Sequence, residues 1–75
     1  MKNTPDTFAK VGAALYGPSW RAPLSGALKV AERTIRRWEH AESAIPDGVW
    51  QDLAELCRRH SAALAKLADQ LVRTP

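Results

Sequence analysis

The sequence predicts an all-α fold, and three observations carry that prediction. Alternation of apolar and polar residues, the mark of a half-buried strand, never persists along the chain. Ala and Leu, both strong helix formers, dominate over β-branched residues. Proline and glycine fall where helices must begin or stop, in "TPD", "YGPSW" and "SAIPDG". With 75 residues the chain makes a single domain, 1–75, large enough for one small core. No internal repeat or low-complexity tract interrupts it.

Each element follows from local chemistry. A first helix starts at "TPD", where Thr4 or Asp6 caps the chain and Pro5 is tolerated in the first turn. Its inward face is Phe8, Val11, Gly12 and Leu15; Gly17 terminates it and Pro18 cannot continue it. A second, short helix begins near Arg21 to Pro23 and runs through Leu24, Ala27 and Leu28. A turn over Lys29 to Ala31 leads into a third helix, about 32–40. Pro46 and Asp47 open a fourth helix spanning about Val49 to Val72 within the segment 46–72, roughly 36 Å long.

The third helix, "ERTIRRWEH", poses the functional question. Residues three and four apart are neighbours on a helix, so Arg33, Arg36, Arg37 and His40 share one side. Ile35, Trp38 and Ala41 occupy the other. An apolar edge anchors the helix and a basic edge is presented. The charge distribution agrees: residues 20–46 hold five Lys or Arg against three Glu, whereas residues 47–75 are balanced at four of each. A basic patch on an otherwise balanced domain fits an anionic partner, nucleic acid above all.

The stretch "RAPLSGALKVAERTIRRWEHAESAIP" resembles the helix-turn-helix of the lambda-repressor/Cro-like (XRE-type) DNA-binding family. Leu24, Ala27, Leu28, Val30, Thr34, Ile35, Trp38, Glu39 and Pro46 fall in matching places. The match covers about a third of the chain, with the helix-turn-helix at about 21–40. It implies a compact domain of four or five helices, here with a long C-terminal one. The pattern is broken at four positions. Arg21 stands where the family has Gln, and Ser25 where it has Ala. Lys29 replaces the turn Gly, which predicts a left-handed residue under mild strain. Ala31 replaces the Ser or Thr cap of the recognition helix, a loss of about 1 kcal/mol.

The resemblance also assigns roles. The third helix becomes a recognition helix in the major groove of double-stranded DNA. Glu32, Arg33 and Arg37 take base-facing positions, with Thr34 and Arg36 close by; Arg21 takes a backbone-phosphate or base-contacting position and His40 a phosphate-contacting one. An arginine fork matches O6 and N7 of guanine, and Glu32 can accept from a cytosine amino group. The bland alternative is a solvated face, in which Glu32 and Arg36 form an i,i+4 ion pair worth about 0.3–0.5 kcal/mol.

The fourth helix carries Leu53, Cys57, His60, Leu64, Leu67 and Leu71 at heptad-like spacing, widened by Leu56 and Ala63. Its first half closes the core and its second half, through Leu64, Leu67 and Leu71, is expected to form a homodimer interface. Two recognition helices then read a palindromic operator. The expectation is a dimeric transcriptional regulator, a repressor of a phage, plasmid or other mobile-element operon. The rival is a protein-interaction module, antitoxin-like, that binds a partner through the Leu stripe.

Other classes find little in the residues. Cys57 and His60 share a face, but a structural zinc site needs four ligands and only His40 remains. A buried thiol beside a packed imidazole is the expectation there. No Gly-rich phosphate loop or paired carboxylates appear, so neither an enzyme nor a cofactor is expected. One cysteine suits a reducing compartment, and no apolar run approaches 18 residues. A cytoplasmic location away from membranes is therefore expected.

Overall fold

The computed structural model describes residues 4–73 as four α-helices: α1 (Pro5–Tyr16), α2 (Arg21–Leu28), α3 (Glu32–Glu39) and α4 (Asp47–Arg73). Among the described residues there is no strand. The all-α class and the long C-terminal helix are as the sequence predicts. Thr4 caps α1 by accepting from the Thr7 amide through its hydroxyl, with Pro5 at the first helical position. Gly17 ends the helix at φ 79°, a backbone region open to glycine at little cost.

The core is built around Phe8. Its ring meets Trp20, Trp38 and Trp50 edge to face, with centroids 5.7, 5.8 and 6.3 Å away. These contacts tie α1 to the start of α2, the end of α3 and the start of α4, so one side chain gathers all four elements. Leu24, Ile35 and Leu53 complete the buried set, and Val11 and Leu15 pack half-buried against it. Gly12 is required by this packing. A Cβ there would lie 2.3 Å from Cε3 of Trp20, far inside contact distance.

The two short helices end alike. At α2 the Lys29 amide donates to Gly26 and the Val30 amide to Ser25. At α3 the Ala41 amide donates to Trp38 and the Glu42 amide to Arg37. Both are Schellman closures, in which one left-handed residue turns the chain and satisfies the last carbonyls. Lys29 sits at φ 58° and Ala41 at φ 59°, so neither closure uses glycine. Ala41 is therefore exposed past the helix end, not on the apolar side with Ile35 and Trp38. The helix stops one residue short of His40, and the left-handed step turns the chain off its axis.

α4 starts at Asp47, within the predicted opening at Pro46 and Asp47, and runs one residue past Val72, with 27 residues that extend about 40 Å. Leu53 is buried, and Leu56 and His60 are half-buried. Every residue from 61 to 73 is exposed. The molecule measures 51 × 23 × 19 Å, because this second half of α4 projects beyond the body as an arm. Cys57 is exposed, contrary to the expected buried thiol. It lies to one side of the line through Leu53 and His60 that α1 covers. His60 is packed, its ring 5.3 Å from Tyr16 and edge to face, with Nδ1 enclosed and unpartnered.

Candidate nucleic-acid interface

α3 is eight residues long, about 12 Å, with one face buried and the other open. Ile35 is fully buried and Trp38 nearly so, its indole turned inward against Phe8. These two side chains fix the rotation of the helix. Arg33, Arg36 and Arg37 consequently stand in solvent on the opposite side. None of the three guanidiniums is drawn under α4.

The cations differ in how free they are. Arg33 and Arg37 have no side-chain hydrogen bond or ion pair to any described residue. Arg36 reaches Glu32 one turn back at 3.4 Å, a long exposed pair. That interaction is worth about 0.3–0.5 kcal/mol, small enough for either partner to be drawn away by a better one. Thr34 is half-buried beside them.

His40 follows the last helical residue and is exposed. Its Nδ1 lies 2.9 Å from the Arg36 carbonyl oxygen. A carbonyl only accepts, so Nδ1 carries the proton and donates, which completes the cap of α3. In the neutral ring this leaves Nε2 as an acceptor. Only the imidazolium can donate to a phosphate from that position.

Arg21 is paired within the protein and is not left free. Its Nε donates to Oε1 of Glu39 at 2.7 Å and its Nη2 donates to Oε2. This bidentate pair bolts the first residue of α2 to the last residue of α3. The guanidinium also lies 4.7 Å from the centroid of the Trp20 ring. Its side chain remains 37% exposed against 16% for Glu39, so the free Nη1 edge is what it can offer a phosphate. The Arg21 fork holds the Glu39 carboxyl below the usual carboxylate range, and Glu39 in turn raises the guanidinium. Sequence reasoning matched Glu39 to the motif and read Arg21 as a departure from it, without pairing the two. Opposite charges 18 positions apart carry no local signal.

Among the described residues, no group of three or more His, Cys, Asp or Glu side chains converges to hold a metal ion. No helix of the described residues is long and apolar enough to cross a membrane. A scan against protein-family models, a search of curated proteins and a search of solved structures each returned no match for the chain.

Proposed function

We propose that the chain is a sequence-specific regulator of transcription that binds double-stranded DNA by laying α3 in the major groove. What carries this reading is one observation. Arg33 and Arg37 are exposed and unpaired on a helix whose rotation is fixed from behind by buried Ile35 and Trp38. Rigid delivery matters, because a bidentate contact to guanine needs the guanidinium plane aligned with O6 and N7. Arg36 and Glu32 supply a second, exchangeable pair at the groove, and breaking their mutual contact costs little. Thr34 and His40 flank the same surface. The XRE-like spacing of residues 24–46 is in keeping with this reading, as is the midchain excess of positive charge.

In this reading the protein acts as a dimeric repressor on a palindromic operator, in the manner of small mobile-element regulators that control their own promoters. The exposed Leu64, Leu67 and Leu71 of the α4 arm supply the dimer contact. The same exposed stripe is the one observation favouring a second reading, a module that grips a different protein while the basic helix is only solvated.

Binding-site selection from randomised duplexes tests the proposal. The expected outcome is an enriched two-fold symmetric site. Affinity for it should fall with salt at a log–log slope near −5, on the basis of roughly six neutralised phosphates per dimer. Arg33→Ala and Arg37→Ala should each cost about 1–3 kcal/mol and relax base preference at one position of each half-site. Affinity no greater than that of a charge-matched control peptide would favour the second reading.

A further inference from the structure

One flank of α3 carries a second charge pattern beside the basic edge. At about 100° per residue, Ile35 and Trp38 point inward, and Arg33 and His40 point the opposite way. Glu32, Arg36 and Glu39 fall together within an arc of about 60° on the flank between them. Arg36 pairs with Glu32 there, and Arg21 reaches across from the first residue of α2 to Glu39. Both carboxylates favour the charged form of Arg21, Glu39 above all through its hydrogen bonds.

Two contacts fix the Arg21 guanidinium. The Glu39 carboxylate accepts from Nε and Nη2, which sets the direction of one edge. The guanidinium carbon lies over the Trp20 ring, 4.7 Å from its centroid, which sets the position of the group. Trp20 is itself buried and packed edge to face on Phe8, so its indole is a firm support. A guanidinium has five N–H groups, and the carboxylate engages two of them. Both protons of Nη1 and the outer proton of Nη2 are left on the neighbouring edge. Two of these, side by side, suit two oxygens of one phosphate.

The flank is where a phosphate stands when a helix fills a groove. A helix with its side chains is about 10–12 Å across, and the major groove is about 12 Å wide. The flanks of an inserted helix therefore meet the two backbones. A bare carboxylate on a flank would repel that wall. The Arg21 fork covers Glu39 and is the more exposed of the two, so the wall meets the guanidinium first. We infer that Glu39 is a positioning residue, which holds Arg21 with its outer edge set for a phosphate beside α3. Binding then meets an arginine that is already ordered. Ordering a free one at that moment would weaken affinity about 3- to 10-fold. The inference deepens the DNA-binding reading proposed above and rests on it.

The test compares affinities by fluorescence anisotropy for the duplex enriched by selection and for a shuffled duplex of equal length. Each variant is measured at a temperature where circular dichroism shows it folded. Arg21→Ala should lower affinity for both duplexes about tenfold or more and reduce the log–log salt slope by about 1 per protomer. Glu39→Asp keeps every charge but withdraws the carboxylate by one methylene, which breaks the fork. It should weaken both duplexes about 3- to 10-fold at the parent's salt slope. On an Arg21→Ala background the same change should alter affinity less than about twofold.

Parent-like affinity of Glu39→Asp overturns the inference, because Arg21 then acts as a plain charge. So does an Arg21→Ala variant with the parent's slope, because the pair is then only a brace between α2 and α3. Where Arg21→Ala does not fold, Arg21→Lys takes its place. That variant keeps the charge and loses the fork, so its affinity should also fall, and parent-like binding overturns the inference. A readout without DNA separates this failure from that of the DNA-binding reading. In nitrogen-edited NMR spectra of the free chain, the Arg21 Nε–H should give a separate, slowly exchanging resonance that Glu39→Asp removes. A chain that binds duplex without that resonance overturns the inference and leaves the reading standing. A chain that shows the resonance but binds no better than a charge-matched control peptide ends the reading, and the phosphate role of Arg21 with it.

Discussion

Trp20 shows how a single residue decides more than its type announces. Its indole fills the space above Gly12, where any side chain would collide with the ring. Helix propensity alone favours Gly12→Ala by about 1 kcal/mol. The clash works against it, and forced repacking in a full core costs about 1–3 kcal/mol. Gly12→Ala should therefore lower stability by up to about 2 kcal/mol in urea unfolding followed by tryptophan fluorescence. Glu39 makes a second residue-level case. Its carboxyl titrates below the ordinary carboxylate range because Arg21 donates two hydrogen bonds to its charged form. A folded value below the unfolded one means that folding favours the deprotonated group. Its contribution is complete above about pH 4.5 and fades as the pH falls through the folded value. Thermal melts from pH 7 to pH 3 should show a smaller acid loss in Glu39→Gln than in the parent chain, and the variant should already be less stable at pH 7.

At the scale of elements, the turn between α2 and α3 sets the angle at which the basic helix is offered. Its left-handed residue is Lys29, at φ 58° and ψ 43°. A side chain in that region costs about 1–2 kcal/mol, part of which glycine returns as entropy in the unfolded chain. Lys29→Gly should raise stability by about 0.5–1 kcal/mol by chemical denaturation, without moving α3. This strain was legible in the sequence, because Lys29 stands where the helix-turn-helix pattern has glycine. The uncapped start of α3 was legible for the same reason: Ala31 has extended geometry and no side-chain cap. The matching closure after α3 was not. Ala41 looked like a third apolar residue of a helix facing inward, and nothing in its type signals φ 59°. The chain turns there because the Ala41 and Glu42 amides find the Trp38 and Arg37 carbonyls.

On the scale of the whole molecule, a compact body and a projecting arm divide the work between them. Phe8 and three tryptophans hold the body together, and α4 runs past it for residues 61–73 without covering anything. An isolated stretch of 13 residues is marginal as a helix in water, so the arm owes its helicity to continuity with the anchored half of α4. By itself the sequence determined the four helices, the apolar backing of α3 and the stripe along α4. Each of these is a repeat of residue type at helical spacing, and local geometry alone converts such a repeat into a face. Tertiary structure alone decided that Arg21 is spent on Glu39, that Gly12 makes room for an indole, and that Cys57 is left in water. It also decided where along α4 the body stops. Those outcomes depend on which distant groups meet, and a pairing between separated positions leaves no periodic trace in the chain.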